Sequence, residues 1–175
     1  MKLSSLSIVI TIILLSACTA SKPPGIATVE PFDGERYMGT WYEIFRLDHK
    51  FERGLSNVTA EYSLNDDGTI TVVNRGYNDD KGKWNEAEGK AEFVEGPDQG
   101  RLKVSFFGPF YSGYNVIKLD PEYRYSLVTG EDRDYLWLLS RTPQIPSEVE
   151  QEYLEKARAE GYDVDALIRV EHDRH

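Results

Sequence analysis

Between residues 41 and 141, short stretches of alternating apolar and polar residues are separated by turn-forming segments. These segments are LNDDGTI (64–70), YNDDKGKW (77–84), EGPDQG (95–100), LDPEY (119–123) and TGEDRDY (129–135). Side chains two apart on a strand share a face, so each stretch reads as a strand with one apolar side. Regular strands joined by tight turns predict an antiparallel all-β sandwich or barrel. One such strand puts Val58, Ala60, Tyr62 and Leu64 opposite Asn57, Thr59, Glu61 and Ser63. Another puts Ala87, Gly89, Ala91 and Phe93 opposite Glu86, Glu88, Lys90 and Glu92. Facing sheets of a sandwich interdigitate over about 10 Å, and an Ala-Gly-Ala face would leave that space underfilled. In a closed barrel of about eight strands the same residues leave room for one small ligand. Alternatively, they accommodate a bulky neighbouring ring such as Tyr62 or Trp84.

The segment YLWLLSR at 135–141 is apolar on both faces: Tyr135, Trp137 and Leu139 on one, Leu136 and Leu138 on the other. Its outer side therefore needs a cover. Ser147 and Glu150 have capping-box spacing after Pro146, Val149, Tyr153 and Ala157 form a helical stripe, and Gly161 fits the stop position. The expectation is one C-terminal helix over 148–160, packed outside the barrel, followed by an apolar piece at 166–170.

The N-terminus adds an address. Apolar residues run from about position 8 to 15 behind Lys2, too few for the roughly 20 that cross a bilayer. A charged start, a short apolar middle and small residues describe a secretory signal peptide. Leu15-Ser16-Ala17-Cys18 resembles the bacterial lipobox, which implies that residues 1–17 are removed and that Cys18 begins the mature chain as an acylated anchor. Each buried methylene of such an anchor contributes about 0.8 kcal/mol, so several acyl chains hold persistently. The residue after the cysteine is Thr19 rather than Asp, which by the same resemblance points to the outer membrane. Residues 18–33 contain Pro23, Pro24 and Pro31 and read as a partly extended linker, reaching at most about 50 Å. The domain proper is expected over 34–175.

Charge removes other classes of partner. With 30 acidic and 20 basic residues, a net charge of −10 and a pI near 4.8, the chain lacks the electrostatic footprint of a nucleic-acid binder. The same sign disfavours adsorption to anionic lipid and leaves the holding to Cys18. The single cysteine is committed to the anchor, so disulfides and thiol chemistry are excluded. The aspartate pairs lack the ligand spacing of a calcium loop, and no cluster suggests a metal or cofactor.

Three further groups of residues are recognisable together: Gly39-Thr40-Trp41, then Tyr114-Asn115-Val116 with Asp120 and Tyr123, then Arg141 after YLWLLS. Their order and spacing resemble the lipocalin family. MGTWYEIFRLDHKFERG, LKVSFFGPFYSGYNVI and DRDYLWLLSRTP are more narrowly similar to its bacterial outer-membrane members, with the apolipoprotein D branch as nearest animal relatives. The resemblance implies an eight-stranded antiparallel up-and-down barrel, a calyx closed at one end. It also makes Gly39, Trp41 and Arg141 structural, with the Arg141 guanidinium stacked on the indole across the floor. Counting by two from Arg141 turns Leu139 and Trp137 inward; counting from Trp41 turns Glu43 and Phe45 inward. An inward carboxylate is costly unless paired, so Glu43 should meet a basic group, a tyrosine hydroxyl or water, unless strand twist carries it to the rim. Tyr62, Ala91, Phe107, Tyr111 and Tyr114 are expected along the cavity, with DHKFERG as a lid. Arg46, Lys50, Arg53 and Arg75 are expected near the mouth, either solvated or meeting a ligand's head.

An apolar cup with one open mouth suits an elongated amphiphile. Fatty acids and lysophospholipids are the expected partners, held for storage, transport or scavenging at the outer membrane, facing the periplasm through the acylated N-terminus. A homodimer is compatible with the sequence. Two rivals stand beside this reading: a structural envelope lipoprotein whose barrel is filled by its own rings, and an enzyme using Glu43 as an acid. His49, His172 and His175 are scattered, and no serine lies in a nucleophile-elbow pattern, which disfavours the second.

Overall fold

The computed structural model describes residues 21–174. Cys18 and the expected signal peptide lie outside them. A four-residue helix α1 (Gly34–Tyr37) precedes strands β1 (Gly39–Arg46), β2 (Leu55–Leu64), β3 (Ile70–Asn78), β4 (Lys83–Phe93), β5 (Arg101–Phe107), β6 (Phe110–Leu119), β7 (Tyr125–Thr129) and β8 (Leu136–Ser140). Helix α2 (Ser147–Ala159) and a short strand β9 (Ile168–Arg169) follow. The strands are antiparallel in the order β2-β3-β4-β5-β6-β7-β8-β1-β9, and β1 also pairs with β2. The first half of β1 pairs with β2 and its second half with β8. The ring of eight strands is therefore closed, with β9 added beside Phe45 and Arg46.

Alternation divides the apolar side chains into two cores. Trp41, Tyr62, Ile70, Val72, Ala91, Leu102, Val116, Val128 and Leu139 are buried inside the barrel. Ile44, Ile117, Leu127, Leu136 and Leu138 point outward and are buried with Tyr153 and Ala157 of α2. The helix covers the two-faced β8, as its sequence requires. Its start differs from expectation: Pro146 is the N-cap and provides no side-chain bond, and Ser147 is already inside the helix. Glu150 instead bonds Arg169 at 2.5 Å, so no capping box forms. The C-terminus follows expectation, with Gly161 at φ +87°.

The segment 18–33 is not free along its described length. Ile26 and Phe32 are buried, Val29 N–H donates to Val116 C=O at 2.8 Å, and Phe32 N–H donates to Asp98 C=O at 2.7 Å. Burial of these two apolar side chains, together with backbone pairing, fixes residues 21–33 to the outside and floor of the barrel.

Candidate functional site

The floor is built from the start of β1. Gly39, at φ +91°, makes the turn into the strand in a conformation that side chains disfavour. Trp41 then lies fully buried across the barrel, its Nε1 donating to Tyr37 C=O at 2.9 Å. The Arg141 guanidinium carbon sits 3.8 Å from the indole centroid. Its nitrogens donate to the carbonyls of Thr40 and Arg36 (2.9 Å each), Tyr37 (3.1 Å) and Tyr123 (3.2 Å). One planar fork thus satisfies the loose carbonyls of α1 and of the β6–β7 turn.

Three tyrosine hydroxyls and one serine hydroxyl form the next layer. Tyr114 Oη lies 2.8 Å from Tyr37 Oη and accepts from Tyr62 Oη at 3.0 Å, and Tyr37 Oη lies 3.0 Å from Ser126 Oγ. Burial pushes Tyr37 up to about 12 and raises Tyr62 and Tyr114 well above the ordinary tyrosine value, so all three remain neutral near pH 7. Tyr37 and Ser126 were not anticipated, because neither lies in a motif or a long alternating run.

Above this layer is a cavity of about 110 Å³, lined chiefly by apolar groups from β2 to β6 and β8, including Val72, Leu102, Val104, Phe106 and Leu139. Five of the expected residues face it: Glu43, Tyr62, Ala91, Tyr114 and Trp137. The small-residue face of β4 is used in two ways. Ala91 lines the cavity, whereas a Cβ on Gly89 would lie 2.8 Å from the Phe106 ring, which occupies that space. Phe106 is thus the filling ring; Tyr62 lines the cavity, and Trp84 lies outside beneath the Arg75 guanidinium, 4.1 Å from its centroid.

Two expected wall residues are elsewhere. Tyr111 lies on the outer face of β6, donating to Glu92 Oε1 at 3.1 Å with Lys103 over its ring. It is three positions from the inward Tyr114, an odd step that places it on the opposite face. Phe107 is 74% exposed at the hairpin tip, beyond an irregularity between Val104 and Phe107 that ends the regular alternation.

The mouth is closed by a polar cluster. A bulge between Glu43 and Phe45 reverses the parity of β1: Phe45 packs outside near α2, and Arg46 turns inward. Arg46 is only 2% exposed, so it is not a solvated rim charge. Its Nη1 donates to Glu43 Oε1 at 2.8 Å, and its Nη2 donates to the carbonyls of Glu52 and Leu55 at 3.0 Å each. From the β1–β2 loop Glu52 reaches back over the cavity, accepting from Trp137 Nε1 at 3.1 Å and lying 2.9 Å from His49 Nε2. Burial, then repulsion from Glu52, raises Glu43 well above the usual carboxylate range despite Arg46. Burial also pulls Glu52 upward, but His49, Trp137 and Arg46 outweigh it and hold Glu52 below its ordinary value. The cup has chiefly apolar walls above the tyrosine layer and is capped by two interacting carboxyls, Glu43 with its pKa raised and Glu52 with its pKa lowered. Lys50 and Arg53 are peripheral, over Phe51 and paired with Asp48 at 2.6 Å respectively. Among the described residues no His, Cys, Asp and Glu side chains group as metal ligands.

Residues 32–172 match the family model of a lipocalin-like domain. The chain is 60% identical over 159 residues to outer membrane lipoprotein Blc of Escherichia coli (strain K12), covering 90% of each chain. It is 34% identical over 135 residues to apolipoprotein D of Rattus norvegicus, covering 73% of this chain and 70% of that protein. A cockroach allergen, Per a 4, has a similar solved structure, with a TM-score of 0.69 at 20% identity over 86% of this chain and 94% of that one. Closed barrel, outer helix, stacked floor and family match agree: the chain belongs to the lipocalin family.

Proposed function

We propose that this chain is a lipid-binding lipoprotein of the outer membrane, anchored through acylated Cys18 and facing the periplasm. It takes up fatty acids or lysophospholipids for storage, transport or scavenging. The observation that carries the reading is the division of the cup: apolar walls for a tail above tyrosine hydroxyls that bond one another, with the charged groups gathered at the mouth. An aliphatic chain loses nothing among Val72, Leu102 and Leu139, and a charged head stays beside the hydrogen-bonding groups of the mouth. The name of the 60%-identical relative, an outer membrane lipoprotein, and the sequence at 15–18 support the location.

The cavity of about 110 Å³ is smaller than the roughly 300 to 1,000 Å³ typical of ligand sites. The β1–β2 loop therefore has to withdraw Glu52 for a long chain to enter. An inward carboxyl with a raised pKa is also what acid catalysis by Glu43 would need. Arg46 already occupies a Glu43 oxygen, however, which favours a structural plug.

The test is titration of the protein with lysophospholipid and with fatty acid, following tryptophan emission, with Trp137→Phe as control. Saturable quenching at about micromolar ligand, largely lost in the variant, is expected. No response to either ligand, with no lipid recovered by extraction, would overturn the proposal. Mass analysis of recovered ligand should show it chemically unchanged; a product would favour catalysis.

A further inference from the structure

Acidic turns lie at both ends of the barrel: Asp66 and Asp67 after β2, Glu95 and Asp98 after β4 and Asp120 and Glu122 after β6 at the floor, and Asp79 and Asp80 after β3 and Glu131, Asp132 and Asp134 after β7 at the open end. At the open end, β5 and β6 meet in a tip where Phe107 pairs with Phe110, and these rings are 74% and 80% exposed. Residues 104–117, VSFFGPFYSGYNVI, contain no charged side chain. Pro109 within the tip has no N–H to satisfy. Two large rings standing in water on a tight, uncharged, backbone-paired hairpin have no covering partner among the described residues.

The N-terminal segment runs on the same side of the barrel. Ser21, the first described residue, lies against β6: its carbonyl accepts from Asn115 Nδ2 at 3.3 Å and would be 2.1 Å from a Cβ on Gly113. Gly113 leaves room for the chain to cross the strand there. It is three residues from Phe110, about 10 Å along a strand at roughly 3.3 Å per residue. Cys18 is three residues before Ser21 and reaches at most about 11 Å from it. An acyl anchor on Cys18 is thereby attached within about 11 Å of Ser21, on the side of the barrel that carries the Phe107–Phe110 tip.

We infer that the Phe107–Phe110 tip docks into the bilayer that holds the anchor, so that the open end of the cup faces the lipid. The inference rests on the anchoring of Cys18 proposed above. Tip and tether act as two attachments on one side of the barrel, and the second fixes an orientation that the first leaves free. With a net charge of −10, insertion of the rings rather than attraction to anionic head groups drives the contact. A ligand tail then passes between membrane and cup near the surface.

The experiment uses the full-length acylated protein in phosphatidylcholine vesicles, with a nitroxide on Phe110→Cys or, at the floor, on Asp66→Cys. Both positions are exposed, so neither substitution disturbs a core. Oxygen and an aqueous nickel chelate report depth. The Phe110 label is expected about 5–10 Å below the phosphates, with the Asp66 label in water. Both labels in water would overturn docking, as would immersion of Asp66. The unsubstituted chain separates this failure from that of the anchor: acylated Cys18 takes no label, whereas labelling there would overturn the anchor reading and docking together. In a second measurement, Phe107→Ser with Phe110→Ser should slow uptake of lysophospholipid from vesicles and leave affinity for dissolved lysophospholipid unchanged. Unchanged uptake from vesicles would overturn the inference.

Discussion

Trp137 Nε1 donates to Glu52 Oε2 at 3.1 Å, tying the wall strand β8 to the loop over the mouth. Glu52 also lies beside His49, and its own carbonyl accepts from Arg46. The loop is thus latched through one side chain and its backbone, above a cavity too small for a complete acyl chain. Entry of a ligand has to break the side-chain part of this latch.

Glu52→Ala removes that part and leaves the backbone contact. Both association and dissociation of a lysophospholipid should accelerate by about tenfold or more, equivalent to a barrier lowered by about 1.4 kcal/mol, with a smaller change in Kd. Stopped-flow tryptophan emission resolves the two rates. Unaltered rates would show that the loop does not gate the cup.

Ala91 tests the cavity from the opposite wall. Ala91→Leu adds three carbons toward open space rather than into packed atoms, so stability should change by less than the about 1–3 kcal/mol of ordinary overpacking. The affinity for either ligand should fall at least about tenfold, about 1.4 kcal/mol. Calorimetric titration alongside urea unfolding separates the effects. Undiminished binding would place the ligand elsewhere.

These contacts show where alternation along the chain is informative. Tyr62, Ala91, Tyr114 and Trp137 sit on regular strand segments, and counting by two places them inside. Tyr111 fails by the same rule, since its odd distance from Tyr114 already put it outside. Phe45 and Arg46 exchange faces because of the bulge after Glu43, which leaves no mark in a run as apolar as Ile44-Phe45. The position of Phe107 depends likewise on an irregularity in pairing. Ile26 and Phe32 were the available signal that the proline-rich segment is not free, since neither belongs in a solvated tether. Glu52 as the lid's contact and Tyr37 beneath the cavity depend on tertiary closure that no local pattern encodes.

The floor makes a separate prediction. Arg141 stacks on Trp41 and donates to four carbonyls; Lys retains the charge but has neither the plane nor the fork. Arg141→Lys should lower stability by about 2 kcal/mol, combining a lost cation–π contact with net hydrogen bonds of about 1 kcal/mol each, partly replaced by water. The urea midpoint should fall with an unchanged m value. Ligand affinity should hold, because the guanidinium does not line the cavity.

Glu43 gives a stability dependence on pH whose sign can be worked out. In the unfolded chain its carboxyl titrates near the ordinary value; in the folded protein burial and Glu52 keep it protonated to a higher pH. The folded state therefore binds the extra proton between those two pKa values. Stability from this group is complete below the unfolded pKa and declines as pH rises through the raised one, by up to about 1.4 kcal/mol per unit between them. Glu52, held low, acts in the opposite direction at lower pH: its contribution is present above the ordinary carboxylate range and is lost as pH falls through its depressed value. Glu43→Gln keeps the shape and has no proton to lose, so it should abolish the decline on the alkaline side and leave the acid-side loss in place. Urea midpoints of both proteins from about pH 3 to about pH 9 test this. Parallel curves would mean that Glu43 is already ionised beside Arg46, and the mouth would then carry a conventional ion pair rather than a protonated carboxyl next to a charged one.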